Sequence, residues 1–269
     1  MVLKKRVITA LILIAIVIAA LFYLPSIGFK IFTGFFILLA AWEWGHLIGC
    51  SSLWHKIGFC LAILLALFAT NYAAPLWILG GSVVWWLVAL GWMILYPKGA
   101  DFWRQNQWLK YLLGFVMLLP AWYGVNYLHD RPQGPALVLL LLLIIWGADS
   151  GAYFAGRRWG KQKLAEKLSP KKTLQGVFGG LVTAFVLAAV CIYAAQLQLG
   201  QLPFVGILIL FTVMLSIMGD LFESMLKRMQ DVKDSGSLLP GHGGVLDRVD
   251  SLTAAAPGFA LGVLFLAGF

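Results

Sequence analysis

Hydrophobic residues in this chain fall in long blocks, not in alternation. Apolar runs of about 20 residues, the length that crosses a bilayer core, recur from one end to the other. They predict nine spans, near 7–24, 27–44, 57–72, 76–96, 110–128, 135–155, 174–196, 203–220 and 251–269. Lipid offers no partner for a free backbone N–H or C=O, so each span is read as a helix. The third is short. The eighth has polar residues at i, i+3/i+4 and i+7 near its end and is expected to run on to about residue 230. The fold class is an all-α polytopic membrane protein with about nine transmembrane helices.

The polar positions between the blocks are concentrated in two places. One is the loop 156–173, which holds seven cations. The other is Gly219 to Asp250, which holds six of the chain's 11 Asp and Glu: Asp220, Glu223, Asp231, Asp234, Asp247 and Asp250. A charge cluster between two hydrophobic helices is costly unless it has a task. With the N-terminus in the cytoplasm, 18 of the 20 Lys and Arg lie in cytoplasmic segments, and only Lys30 and Arg131 do not. The positive-inside rule therefore puts both polar loops in the cytoplasm.

Composition narrows the class further. The chain has 269 residues, 61% of them hydrophobic, with a net charge of +9. No separate soluble domain of useful size remains beside the helices. The charge excess is accounted for by topology, and no nucleic-acid partner is expected. Three Cys without a C-x-x-C pair indicate neither a disulfide framework nor a zinc site. The run after Lys4-Lys5-Arg6 is too long for a signal peptide and lacks a small-residue cleavage pattern, so it is read as a retained helix. Trp and Tyr near span ends suit an interfacial belt. Gly176, Gly180 and Ala184 form a small-residue stripe suited to close helix packing.

Several residues are candidates for chemistry. Thr173 is placed to cap the seventh span, whose free N–H groups favour an anion, with Lys171 and Lys172 beside it. Asp149, flanked by Gly147 and Gly151, is an acid inside the sixth span. Glu43, between Trp42 and Trp44, is weighed equally as structural or functional. Asp220, Glu223 or Ser224, and Lys227 share one helix face. Asp247 and Asp250 are one turn apart if the ninth helix begins near them. Gly241, Gly243 and Gly244 around His242 allow a tight turn with exposed N–H groups. Carboxylates so close repel one another, and a hard cation such as Mg²⁺ relieves this with one or two carboxylates plus substrate phosphates. Lys and Arg nearby would hold the remaining phosphate oxygens. The residues thus describe a metal-assisted phosphate site at the membrane surface, for a soluble polyphosphate, a lipid phosphate, or both.

The run Ser224-x-Leu226-Lys227-Arg228 … Lys233-Asp234 … Leu239-Pro240-x-His242-Gly243-Gly244-Val245-x-Asp247-Arg248-Val249-Asp250 resembles the signature of the phosphatidate cytidylyltransferases. Gly219-Asp220-Leu-Phe-Glu-Ser, Asp149-Ser-Gly-Ala-Tyr-Phe and Ser169-Pro-Lys-Lys-Thr-Leu-Gln-Gly resemble further segments of that family. Gln175 stands where some members carry an acid. The likeness covers residues 131–269, the expected catalytic region with loops 156–173 and 220–250. Residues 1–130 match only as hydrophobic helices and are read as scaffold, lipid groove or dimer contact.

The resemblance implies CMP transfer from CTP to phosphatidate in the bacterial inner membrane, with the site facing the cytoplasm. It implies metal ligation, by Mg²⁺ and a possible second cation, at Asp220, Asp247 and Asp250, with Asp149 as an addition. It implies charge neutralisation by Lys227, Arg228, Lys172 and Arg248. Lys171, Thr173, Lys233, Gly243 and Gly244 complete the phosphate-binding set. His242 either donates to pyrophosphate or fixes its loop. A homodimer fits the family as well. Two other readings compete: the same chemistry on another lipid phosphate or lipid alcohol, and a transporter with Asp149 as proton relay. The transporter predicts two related halves with broken helices, which the sequence lacks, and it leaves the Asp-Arg-x-Asp loop without a purpose.

Overall fold

The protein is seen in a computed structural model that describes residues 2–50, 52–98, 106–236, 238 and 243–266, with side chains from residue 11 onward. His242, Arg104 and the side chains of Lys4, Lys5 and Arg6 lie outside the described residues. The described chain forms nine helices: α1 (Val2–Tyr23), α2 (Ser26–Leu47), α3 (Leu53–Ala69), α4 (Pro75–Leu95), α5 (Gln107–His129), α6 (Gly134–Trp159), α7 (Leu174–Ala194), α8 (Leu202–Met229) and α9 (Leu246–Leu266). Helices α2 to α9 are each long and apolar enough to cross a membrane. The short third span is extended by a 3₁₀ turn, Thr70–Tyr72.

One element departs from the all-helical expectation. The basic loop folds into an antiparallel hairpin, β1 (Lys163–Ala165) and β2 (Ser169–Thr173), pairing Lys163 with Thr173 and Ala165 with Ser169. Lys171 and Lys172 thus lie on a strand, not in the turn expected for them. Its polar sequence shows no apolar period-2 signal, so nothing in the pattern announces strands. Gln175, on the first turn of α7, accepts the Lys161 and Gln162 amides at 3.0 and 3.1 Å and ties the hairpin's base down.

Glycines govern the tightest packing. A Cβ on Gly180 would meet the Ala148 carbonyl oxygen at 2.6 Å, and one on Gly176 the Ala152 oxygen at 2.9 Å. The small-residue stripe therefore serves close packing of α7 on α6 within one chain. Helix α9 is the central post of the bundle and is buried nearly all round, with Ala254, Ala255, Ala256, Phe259 and Ala260 fully covered. Large apolar side chains such as Leu65, Trp77 and Phe178 face outward, as a lipid-facing rim requires.

The two cations outside the basic set are also placed. Lys30 pairs with Asp130 at 2.7 Å, joining the start of α2 to the end of α5. Arg131 lies over the Tyr127 ring, 4.1 Å from its centroid. Burial alone would raise the Asp130 carboxyl, but hydrogen bonds from Lys30 and Ser26 outweigh it and hold it below its ordinary range.

Candidate active site at the ends of α8 and α9

Helix α8 runs to Met229, as the polar periodicity predicts, and α9 begins at Leu246, so Asp247 and Asp250 occupy its first turns. Phe222 fixes the rotation of α8 from behind. Its ring sits edge-on to Trp85, Trp86 and Trp92, with centroids at 5.9, 5.6 and 6.0 Å. The helix ends where Asp231 turns left-handed, φ 53°, and the Val232 amide caps the Lys227 carbonyl at 3.0 Å.

Asp247 is the staple of the loop between the two helices. Its Oδ1 takes Lys227 Nζ at 2.7 Å. Its Oδ2 takes the amides of Gly244 and Ser235 at 2.8 and 3.1 Å. Gly243 has φ 81°, and a Cβ there would meet Asp247 Oδ2 at 2.9 Å, so this turn requires glycine. Lys227 also pairs with Glu223 at 3.1 Å, and Glu223 is completely buried. Across the α8–α9 contact, Asp250 is the strongest charged neighbour of Glu223. Its own Oδ1 accepts the Ser251 amide at 2.7 Å.

A second group meets this one from the other side. Lys172 of β2 pairs with Asp220 at 2.6 Å, and Ser224 donates to the other oxygen of Asp220 at 3.3 Å. Asp149 of α6 is exposed on its helix, with Asp220 and Lys172 as its charged neighbours. Thr173 caps α7, accepting the Gly176 amide at 3.1 Å. Four elements distant in sequence thus converge on one set of charges.

A hollow of about 440 Å³ adjoins them, between the hairpin and the end of α8. Ser169, Ser224, Lys227, Arg228, Asp231 and Lys233 line it, three cations against one acid. That volume lies in the range of small-ligand sites, roughly 300–1,000 Å³. A hollow of about 430 Å³ at the far ends of α8 and α9 is lined mainly by apolar residues such as Phe204 and Phe265. Charge, not size, separates the two. Lys171 and Arg248 are exposed and are not among the residues that line the first.

Among the described residues, no three or more His, Cys, Asp or Glu side chains are arranged to hold a metal ion. The expected ligands Asp220 and Asp247 are instead engaged by lysines. One observation still suits a cation: the buried Glu223 Oε1 has no hydrogen-bond partner, with Asp250 beside it.

Sequence alone leaves Glu43 balanced between a structural and a functional role. It is 1% exposed, and its Oε2 accepts the Leu246 amide at 2.8 Å. The one available signal was isolation, since it is the only acid before residue 101.

A model of the cytidylyltransferase family matches residues 4–266. The chain belongs to the cytidylyltransferase family. The phosphatidate cytidylyltransferase of Pseudomonas aeruginosa is 40% identical over 269 residues, covering 99% of this chain and 98% of that one. That of Haemophilus influenzae is 42% identical over 288 residues, covering 98% of this chain and 99% of that one. The Bacillus subtilis protein of the same name is 43% identical over 154 residues, 54% of this chain and 56% of its own.

Proposed function

We infer that this chain transfers CMP from CTP to phosphatidate, giving CDP-diacylglycerol and pyrophosphate. The observation that carries the reading is the convergence of Asp149, Lys172, Asp220, Lys227 and Asp247 beside a cationic hollow at the ends of membrane-length helices. The full-length similarity to relatives bearing that name supports it.

A phosphatidate oxygen attacks the CTP α-phosphorus. A new P–O bond forms, the bond from the α-phosphorus to the bridging oxygen breaks, and pyrophosphate leaves with its electron pair. The attacking phosphate is already ionised, so no strong protein base is needed. What remains is positioning and charge neutralisation. Arg228 and Lys233 face the hollow and bind triphosphate oxygens. Lys172 and Lys227, each held by a carboxylate, stabilise the charge that grows on the leaving group. The hairpin closes the hollow on one side and limits water. Glu223 Oε1, Asp250 and Asp149 are the carboxylate oxygens outside the lysine pairs described above and would hold Mg²⁺, one or two at a time with substrate phosphates completing the shell. When bound, the ion supplies positive charge to the reacting phosphates.

The concentration of Lys and Arg at this end favours a cytoplasmic site, where CTP is found. A cysteine placed at Lys167 should then react with an impermeant thiol reagent only from the cytoplasmic side, and reaction from outside sinks that orientation. To test the acceptor, purified protein in detergent is given CTP and Mg²⁺ with phosphatidate, diacylglycerol or a prenyl phosphate. A CDP-lipid formed from phosphatidate alone supports the reading. Product from another acceptor but none from phosphatidate overturns it.

A further inference from the structure

The N-terminal helices, expected to act as scaffold, send one charged side chain into the site region. Glu43 sits in the last two turns of α2 and is 1% exposed. Its neighbour Trp44 is locked, donating Nε1–H to the Lys110 carbonyl at 2.9 Å, in a slot that a Cβ on Gly114 would close at 2.7 Å. The carboxylate is therefore held on a rigid element. Its Oε2 accepts the Leu246 amide at 2.8 Å. Its other oxygen, Oε1, is buried without a hydrogen-bond partner. Leu246 is the first residue of α9, whose free N–H groups carry partial positive charge. Glu43 thus caps α9 from 203 residues away in sequence.

The loop is shaped around this carboxylate. A Cβ on Gly236 would lie 2.6 Å from Glu43 Cδ, and one on Gly244 2.5 Å from Glu43 Oε2. Gly236 follows Ser235, and the amides of Ser235 and Gly244 both hold Asp247. The residue after Leu246 is Asp247 itself.

We propose that Glu43 is a positioning residue for the transfer reaction, setting the start of α9 and the backbone at Ser235, Gly236 and Gly244 so that Asp247 holds Lys227 toward the reacting phosphates. The proposal rests on the cytidylyltransferase reading. Arg228 and Lys233, which face the nucleotide, are not on the segment Glu43 holds, so losing Glu43 should slow turnover more than it weakens CTP binding.

The test compares Glu43→Gln, Gly236→Ala and the double variant as full-length protein in detergent. Four quantities are read: kcat, KM for CTP, melting temperature, and amide exchange at Ser235, Gly244 and Leu246. Glu43→Gln should melt near the wild type, lose kcat on the order of 10–100-fold, and keep KM for CTP within about threefold. Exchange should quicken at those three amides. Gly236→Ala displaces the carboxylate without removing its charge and should give the same pattern. The double variant should lose no more than the worse single one. Wild-type kcat and exchange in Glu43→Gln overturn the proposal. If Glu43→Gln does not fold, a folded Gly236→Ala with wild-type kcat overturns it. If the wild type itself transfers nothing, the functional reading has failed, and the exchange data alone decide whether Glu43 holds the loop.

Discussion

Lys227 shows how finely the charges in this site are balanced. It is shared by a fully buried Glu223 and a nearly buried Asp247, so removing it leaves two carboxylates uncompensated. Breaking a buried pair in this way costs about 3–5 kcal/mol. Loss of activity on changing Lys227 therefore mixes stability with chemistry, and other residues make cleaner probes. Asp220 is partly exposed and faces Lys172, so Asp220→Asn should fold. Its transfer rate should fall about 10²–10³-fold, as expected for loss of a preorganised charge. A melting curve like the wild type's together with full activity would remove Asp220 from the site. Arg228 is exposed at the hollow's wall, and Arg228→Ala should raise KM for CTP about tenfold with kcat little changed, the cost of one charge-assisted hydrogen bond. Steady-state kinetics over a range of CTP concentrations reads this directly. At this scale the sequence showed Asp220, Lys227, Asp247 and Asp250, because charge inside an apolar chain is conspicuous. It did not show what each one touches. That Asp247 binds two amides follows from a left-handed glycine at position 243, a tertiary fact with no local signature.

Elements were the most legible level. Block hydrophobicity placed nine helices, and the i, i+3/i+4, i+7 polar series foretold that α8 continues to Met229. The hairpin was illegible because strands of three and five residues are too short to show a period-2 pattern, and Gln175 at the start of α7 ties down its base. The α6–α7 contact was half legible: the stripe on α7 and the glycines Gly147 and Gly151 on α6 were both visible, but not that they pack on each other. Gly180→Leu should break that contact. Overpacking costs about 1–3 kcal/mol or more, and here the intruding atom meets backbone that cannot move aside. The expected result is a large loss of folded protein in detergent by size-exclusion chromatography. The Lys30–Asp130 tie joins α2 to α5 at the opposite end. Because the Asp130 carboxyl is held below its ordinary range, the stability it gives is present above that range and is lost as pH falls through the lowered value. Asp130→Asn should thus melt below the wild type at neutral pH, with the gap closing in acid. A gap that persists unchanged in acid contradicts this.

At the scale of the whole molecule, the site is assembled by contacts distant in sequence. Asp149 on α6, Lys172 on the hairpin, Lys227 on α8, Asp247 on α9 and Glu43 on α2 meet only when the bundle closes around α9. Reading local sequence recovers the parts from residue 149 onward and undervalues the N-terminal half, which contributes the buried Glu43 carboxylate and the tryptophans around Phe222. The central claim is that the α-phosphoryl group of CTP, with its cytidine, moves to a phosphatidate oxygen. The direct measurement uses CTP labelled at the α- or the γ-phosphate, with phosphatidate and Mg²⁺, followed by separation of lipid from water-soluble products. The account predicts α-label in the lipid fraction and γ-label only in pyrophosphate. Gamma label in the lipid, or no lipid label from either position, would contradict it.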